Sequence, residues 1–317
     1  MDIQSFVVHA TNDKIWNLSG LLHFLTTNQK KSIRLTINPE AIDLDQLGLY
    51  DILNCFVFES VQIFTYNPFE SHAKYKINHL KSNKFIIQDG SAGQAFWEWN
   101  CKKKFLTLYG RPTAARLGIS AYLLENYNTD THLHFSWGND VDSLQVFELD
   151  KLLNFQKNLI EPVGKLIKKL PCSILPSTGY DKEGIKDYNY NDPLTSLYQD
   201  SFVDLIVEAH VKGNTFFPTE KTFRPMWCQR PFIVFASTNY LAYLRQMGFR
   251  TFNDFWNESY DGYEGLERLK RIIDLIDFIA QKSYSELETM FWDMKYSLEH
   301  NYQILKQQSY KIQISQI

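Results

Sequence analysis

Acidic, basic and hydroxyl side chains are concentrated between residues 207 and 225. Among them are Glu208, Thr219, Glu220, Lys221, Thr222 and Arg224. An apolar run precedes them, and Thr219 has the side chain of a helix N-cap, so the pattern predicts a strand, a loop and a helix start. A helix N-terminus offers unpaired N–H groups and a partial positive charge, which makes it an anion site. Lys221 and Arg224 oppose the helix dipole there, and a bound anion would explain them.

A second pair of basic residues follows another predicted strand. Arg111 lies in the turn Gly110-Arg111-Pro112, and Arg116 lies in the helix that begins there. In an open α/β sheet, ligands bind outside the carboxyl ends of the strands, where such loops gather. The two loops together therefore predict a diphosphate site, although solvated helix ends and surface arginines would look the same in the sequence.

The elements that must position these residues alternate along the chain. Short apolar runs predict strands at 32–37, 55–58, 61–66, 85–87, 105–109, 201–207 and 231–235. Helical spacing predicts helices at 151–170, 222–228, 241–247, 264–280 and 283–305. The alternation indicates an α/β protein, and a length of 317 residues favours two domains.

The composition excludes several classes of protein. The formal net charge is −3, so no global basic field indicates nucleic acid or an anionic membrane as the partner. The four cysteines are far apart and form no CxxC pair, so no zinc site is expected. His132 and His134 alternate on one predicted strand, and two such ligands do not make a metal site. No signal peptide and no membrane span are expected, which favours the cytoplasm of a bacterium or of a virus-infected cell.

The Thr219-Glu220-Lys221 run resembles the donor-binding motif of the alpha-fucosyltransferases. In that family a Glu likewise precedes the motif, as Glu208 does here, and an apolar strand follows it. The segment from Lys104 to Arg116 is similar to the start of their nucleotide-binding domain. The chain departs from the family at Ala209, where the fucosyltransferases carry Asn, and in the insert before Thr219.

The chain also resembles glycosyltransferase-like proteins of phages and large viruses. They share a Gly-Arg-Pro turn, a Thr-Glu-Lys helix start and a Gly-Phe-x-Thr-Phe run followed by Glu-Ser-Tyr-Asp. These motifs stand here at 110–112, 219–221, 248–252 and 258–261. The two resemblances together cover residues 103–305.

The resemblance implies a GT-B fold, in which two Rossmann-like α/β domains face each other across a cleft. It implies an N-terminal acceptor-side domain at 1–102 and a C-terminal sugar-nucleotide domain at 103–282. A C-terminal helix, 283–317, would return to the N-terminal domain. The donor-binding residues implied by the motifs and the loops are Arg111, Arg116, Glu208, Thr219, Glu220, Lys221 and Arg224. Arg116 and Lys221 would neutralise the donor diphosphate, and Glu208 would lie near the sugar or order the loop.

Transfer with inversion also needs a base, which the N-terminal domain should provide. Asp89 is the first candidate, because it follows the predicted strand 85–87 and precedes Gly90; a plain Asp-Gly turn would give the same pattern. Glu98 is the alternative, and Glu59 and His72 are further candidates. Positioned cations and helix N–H groups can stabilise the leaving diphosphate, so neither a metal nor another cofactor is expected.

The predicted function is transfer of a sugar, hexosyl or pentosyl, from a UDP- or GDP-sugar to an acceptor hydroxyl. The acceptor could be a glycan, a protein or a hydroxymethylated base in phage DNA. A basic stripe that would suit DNA comprises Lys74, Lys76, Lys81, Lys84 and 102–104. Two alternatives stay open: a non-catalytic nucleotide- or sugar-binding protein, and a structural interaction protein with the same fold.

Overall fold

The computed structural model describes residues 3–11, 14–38, 40–80, 99–136, 157–172 and 192–315, with backbone alone at 192–195 and 308–315. The chain forms two compact units. The first comprises Met1–Phe85 and Ala209–Phe217, and the second comprises Ile86–Glu208 and Pro218–Ile317. The segment Ala209–Phe217, which the sequence suggested as part of the C-terminal domain, thus folds with the first unit.

The first unit is built on a five-stranded sheet in the order β2-β1-β3-β4-β5. Its strands are β1 (Gln4–Thr11), β2 (Lys14–Ile15), β3 (Ser32–Asn38), β4 (Ser60–Thr65) and β5 (Lys76–His79). Its helices are α1 (Leu18–Thr27) and α2 (Leu49–Asn54). Neighbouring strands are parallel except for the short antiparallel pair of β1 and β2.

Alternation of side chains decides which face of this sheet is buried. Ile33, Leu35 and Ile37 of β3 are fully buried, whereas Arg34 between them is exposed. Leu21 and Leu25 of α1, four residues apart, join the same core cluster. A register shift of one residue would move every apolar side chain of β3 to the other face, so the pattern fixes the register.

Asn17 protects the outer edge of the first sheet. Its carboxamide accepts a hydrogen bond from the N–H of His9 at 3.0 Å and donates one to the carbonyl of Val7 at 2.9 Å. The side chain therefore takes the place of a neighbouring strand, and it satisfies backbone groups that would otherwise attract another edge.

The second unit is built on a four-stranded sheet in the order β7-β6-β8-β9, with every pair parallel. Its strands are β6 (Lys103–Tyr109), β7 (Thr131–Phe135), β8 (Ser201–Val207) and β9 (Phe232–Phe235). All seven residues of β8 are buried, as expected for a central strand of a parallel sheet. The predicted α/β class, with parallel sheets in two units, is confirmed.

Helices connect and cover these strands. They are α3 (Ala114–Tyr127), α4 (Ile160–Ile167), α5 (Asp192–Gln199), α6 (Glu220–Trp227), α7 (Tyr240–Gln246), α8 (Gly265–Ala280), α9 (Tyr284–Asp293) and α10 (Lys295–Ser315). The chain passes from β6 through α3 to β7 on one side, whereas β8 and β9 lie on the other side of β6. The strand order therefore reverses between β6 and β8, which is the topological switch point where α/β sheets bind ligands.

The C-terminal residues form two helices where the sequence predicted one. A capping box between Ser283 and Glu286 starts α9, and Met294 separates it from α10. Asn301 of α10 hydrogen-bonds the backbone N–H and carbonyl of Arg250 at 2.7 and 2.9 Å. These helices thus pack within the second unit. No described helix has the length and apolar character needed to cross a bilayer.

The strand predicted at 55–58 is wrong. The N–H groups of Cys55 and Phe56 donate to the carbonyls of Ile52 and Leu53, so the backbone there continues the last turn of α2. The β-branched and aromatic residues of that run follow the helix instead of joining the sheet. Tertiary context overrides strand propensity at this point.

Asp261 and Arg268 hold the loop that follows β9. The Asp261 carboxylate accepts from the N–H groups of Leu241 and Ala242, which start α7, and pairs with Arg268 at 2.9 Å. The fully buried Arg268 also donates to the carbonyls of Ser237 and Tyr260. The loop and the start of α7 therefore depend on one buried ion pair.

We expect Asp261→Ala to lower the free energy of unfolding by about 3–5 kcal/mol, because it leaves a buried guanidinium without its counter-charge. Urea unfolding followed by circular dichroism measures the change. Asp274→Ala, which removes an exposed carboxylate from α8, is the matched control. Equal stability of the two variants would contradict a structural role for the pair.

Candidate functional site

Loops from three strands and the starts of three helices lie at the carboxyl edge of the second sheet. The loop after β6 leads to Thr113, whose side chain accepts from the N–H of Arg116 and caps α3. Strand β8 ends directly before Glu208, and the loop after β9 leads into α7. Because the switch point lies between β6 and β8, the sequence-predicted residues of both loops belong to this edge.

Glu208 organises the start of α6. Its carboxylate accepts from the Thr219 N–H at 3.0 Å, the Thr219 hydroxyl at 2.6 Å and the Thr222 hydroxyl at 2.6 Å. The Tyr240 hydroxyl, on the first residue of α7, lies 3.3 Å from the same carboxylate. Glu208 is 2% exposed. Of the two roles expected for Glu208, ordering the loop is the one these contacts perform.

Thr219 caps α6 as the sequence predicted. Its hydroxyl oxygen accepts from the Lys221 N–H at 3.3 Å while its proton goes to Glu208. The Lys221 ammonium lies 3.1 Å from that same oxygen and 2.8 Å from the Glu220 carboxylate. The Lys221 ammonium is therefore positioned over the first turn of α6 by the hydroxyl of the residue that caps that helix.

Arg116 braces the switch point. The side chain is buried, and it donates to the carbonyl of Arg111 at 3.0 Å and to the carbonyl of Val207 at 3.0 Å. It thereby ties the loop after β6 to the end of β8. Its Nε has no hydrogen-bond partner among the described residues. A buried, unpaired donor on a charged group is costly, so it marks a place for a ligand atom or an ordered water.

Charges of both signs surround Arg116. Burial lowers the pKa of Arg116, and the negative charges of Glu208 and Glu220 oppose that shift, while Arg224 adds to it. Desolvation raises the pKa of Glu220, but Lys221 and Arg224 outweigh it and lower that pKa to about 2. Glu220 is therefore ionised at neutral pH. Arg116, Glu208, Glu220, Lys221 and Arg224 thus form one electrostatic cluster.

Arg111 and Arg224 differ in their setting. Arg111 is exposed, and its backbone carbonyl accepts from the Arg116 guanidinium. Arg224 is 3% exposed, and its Nε lies 3.4 Å from the Glu220 carbonyl. A basic side chain buried beside Arg116 needs negative charge nearby, and Glu220 supplies part of it.

The two leading base candidates, Asp89 and Glu98, lie outside the described residues. Glu59 accepts from the Ser32 hydroxyl at the amino ends of β3 and β4, opposite the edge where ligand loops gather. The Nδ1 of His72 accepts from the Lys74 N–H at 3.1 Å, so neutral His72 carries its proton on Nε2.

The Gly-Phe-x-Thr-Phe and Glu-Ser-Tyr-Asp motifs have structural contacts. Glu258 accepts from the Phe252 N–H at 2.8 Å and pairs with Arg245 at 3.2 Å. Phe249 and Phe252 are buried in the core, and Asp261 caps α7. The motif residues hold the turn between α7 and α8.

The two histidines of β7 are uncharged at neutral pH, unlike the cations of the cluster, because both have lowered pKa values. Burial lowers the pKa of His134 to about 4, and the charge of Arg224 adds to the shift. Its Nε2 lies 2.9 Å from the Ser136 hydroxyl. Within the described ranges, no group of three or more His, Cys, Asp or Glu side chains is arranged to hold a metal ion.

Sequence reasoning missed Tyr240 and Asp204. Tyr240 reaches Glu208 only because β8 and β9 are adjacent, and no local pattern signals that contact. Asp204 interrupts the apolar run of β8. A carboxylate within such a run indicates a buried polar side chain that needs a hydrogen-bond partner. The Tyr198 hydroxyl donates to the Asp204 carboxylate at 2.6 Å.

No protein-family model and no curated protein matches the chain. Among solved structures, the chain is similar to the C-terminal domain of a glycosyl transferase group 1 family protein, LpcC, from Francisella tularensis. The identity is 15%, the TM-score is 0.35, and the match covers 69% of this chain and 97% of that one. A likeness of this degree identifies neither the fold nor the activity of this chain.

Asp204 makes stability depend on pH. Burial raises its pKa from 3.8 to about 6, against the opposing influences of Arg224 and the Tyr198 hydroxyl. The folded state binds the Asp204 proton more tightly than the unfolded state. The protonated carboxyl therefore adds to the free energy of unfolding below about pH 4, and this contribution is lost as the pH rises through 6. Relative to the wild type, Asp204→Asn should gain about 2 kcal/mol in unfolding free energy between pH 4 and pH 7. Urea unfolding at both pH values tests this, and a constant difference would contradict it.

The Glu208–Thr219 contact should appear as a coupling energy. We expect Glu208→Gln to cost about 1–3 kcal/mol and Thr219→Ala about 1 kcal/mol of unfolding free energy. The double variant should lose less than the sum, by about 0.5–3 kcal/mol, because both changes break the same bonds. Denaturant unfolding of the four proteins gives the cycle. Glu267→Gln, on an exposed carboxylate of α8, is the control, and strict additivity would refute the coupling.

Proposed function

We propose that the second unit binds the diphosphate of a nucleotide sugar and that the chain transfers the sugar to an acceptor hydroxyl. The carrying observation is the buried Arg116 at the topological switch point, whose Nε has no hydrogen-bond partner among the described residues. Lys221 and Arg224 join it in one cluster at the capped start of α6. Cations and helix N–H groups at a switch point suit a phosphate ligand.

The proposed chemistry assigns a role to each cation. The bond between the anomeric carbon and the diphosphate breaks, and negative charge develops on the leaving oxygen. Arg116 supplies a planar, always-charged donor, and Lys221 supplies a mobile point charge. Preorganised donors of this kind stabilise a leaving diphosphate without reorganising during the reaction.

The donor and the acceptor are proposed by class. The donor is a UDP- or GDP-sugar, hexosyl or pentosyl, and no metal is needed where Arg116 and Lys221 carry the charge. The acceptor is a glycan or a hydroxymethylated base in phage DNA, as the viral resemblance of the sequence motifs implies. Cytoplasmic modification in a bacterium or an infected cell would fit either acceptor.

The test is thermal unfolding with UDP, GDP, ADP and CMP, and with UDP-glucose and GDP-fucose. A ligand at 100 times its dissociation constant should add about 2.7 kcal/mol of stability. Lys221→Ala should lower the affinity for the stabilising nucleotide about tenfold or more, which corresponds to about 1.4 kcal/mol. Lys270→Ala, on an exposed residue of α8, should leave that affinity unchanged.

Three outcomes are informative. Stabilisation that Lys221→Ala weakens and Lys270→Ala preserves supports the phosphate site. Binding without release of UDP or GDP from any sugar nucleotide would favour a non-catalytic nucleotide-binding protein. No stabilisation of the wild type by any of these compounds would reject the proposed function.

A further inference from the structure

The Lys221 ammonium lies at a position that is unfavourable for a cation. Lys221 is the second residue of α6, and its Nζ reaches back to 3.1 Å from the Thr219 hydroxyl oxygen, beside the positive end of the helix dipole. The side chain is 16% exposed, so water hydrates this charge only in part. A cation in such a setting needs an anion close by.

Glu220 supplies that anion. Its carboxylate accepts a hydrogen bond from Lys221 Nζ at 2.8 Å. Residues one position apart on a helix do not face each other, so helical geometry alone does not produce this pair. The two side chains instead converge at the N-terminal end of α6, beside the Thr219 hydroxyl.

The two carboxylates of the cluster differ in how firmly they are held. Glu208 is buried and accepts from Thr219 and Thr222, so moving it would undo the start of α6. The Glu220 side chain is 42% exposed, and its carboxylate contacts Lys221 and the backbone N–H of Glu220 itself. Glu220 can therefore leave Lys221 without breaking the cap of the helix.

The charge of Glu220 persists at neutral pH. Lys221 and Arg224 both attract its carboxylate, and they hold the pKa of Glu220 at about 2. An ion pair that is partly exposed to water is weak, because both charges are hydrated when they separate. Glu220 is therefore an ionised group, weakly held, that competes with any other anion for Lys221.

Arg116 connects this pair to the candidate phosphate site. It is buried, its Nε has no hydrogen-bond partner among the described residues, and the charge of Glu220 acts on it. The same carboxylate thus lies within electrostatic reach of both cations that the proposed chemistry assigns to the diphosphate. A phosphate that enters the site would meet a lysine that already has a partner.

We propose that Glu220 is an internal competitor for the phosphate site, and that a diphosphate binds by displacing its carboxylate from Lys221 into solvent. This inference rests on the proposed function, because it concerns the same cations. All of the residues involved belong to the second unit. In the exchange Lys221 keeps its proton, and its hydrogen bond passes from a carboxylate oxygen to a phosphate oxygen. The competition lowers the affinity for a nucleoside diphosphate product, which favours its release.

The experiment measures the affinity of the full chain for pyrophosphate by isothermal titration calorimetry at one ionic strength. Pyrophosphate has no base, ribose or sugar, so it reports on the phosphate contacts alone. The variants are Glu220→Gln, Lys221→Ala and the two combined, and UDP and GDP are titrated in parallel. Glu161→Gln is the matched control, because it removes the same charge from an exposed Glu–Lys pair, 2.7 Å apart, in the first turn of α4.

We expect Glu220→Gln to tighten pyrophosphate binding about three- to tenfold, because Lys221 then has no internal partner to exchange. In the Lys221→Ala background the same substitution should change the affinity by less than about twofold, since the competition is for the Lys221 ammonium. Glu161→Gln should bind pyrophosphate as the wild type does.

Unchanged or weaker pyrophosphate binding by Glu220→Gln overturns the inference, and so does binding by neither protein. UDP or GDP binding by the wild type would then leave the proposed function in place. Equal tightening in the Lys221→Ala background, or by Glu161→Gln, also overturns the inference, because the effect would then be general charge repulsion. If Glu220→Gln melts early, Glu220→Ala is titrated instead and is judged by the same results. Failure of the wild type to bind UDP, GDP or pyrophosphate, together with failure of Glu220→Gln, rejects the proposed function itself.

Discussion

The buried carboxylate of Glu208 is the constraint on which the candidate site depends. A carboxylate taken out of water is costly unless hydrogen bonds replace its hydration. Here the replacements come from Thr219, Thr222 and Tyr240, which belong to the starts of two different helices. Satisfying one buried charge therefore fixes where α6 and α7 begin relative to β8. The positions of Lys221 and Arg224 follow from that, because both lie on α6.

The same site carries three cationic side chains and two carboxylates, so it has a net positive charge. Arg116, Lys221 and Arg224 face Glu208 and Glu220, and the lowered pKa of Glu220 reflects how closely the two signs approach. Arg116 donates two hydrogen bonds to carbonyls of the segments that it joins. Its Nε has no hydrogen-bond partner among the described residues. The diphosphate of the proposed donor would add negative charge to this cluster.

Both units place polar side chains at the carboxyl edge of a parallel sheet, but they do so by different means. In the second unit a reversal of strand order opens the edge between β6 and β8. In the first unit the segment Ala209–Phe217 folds onto the loops after β3 and β4 and brings His210 to Glu40. The insert before Thr219, which departs from the fucosyltransferase pattern, thus has a structural role of its own.

The sequence by itself determined the α/β class, the strands at β6, β8 and β9, and the Thr219 cap, because periodicity, turn residues and capping are local properties. It also indicated the cationic loops, since basic residues near a predicted helix start can be recognised in the sequence. Only the tertiary structure decided that Cys55 and Phe56 continue a helix end, that Glu208 is buried, and that Tyr240 and His210 contact Glu208 and Glu40. Those two contacts join residues 32 and 170 positions apart. Local sequence patterns do not record which distant groups will meet in the folded chain.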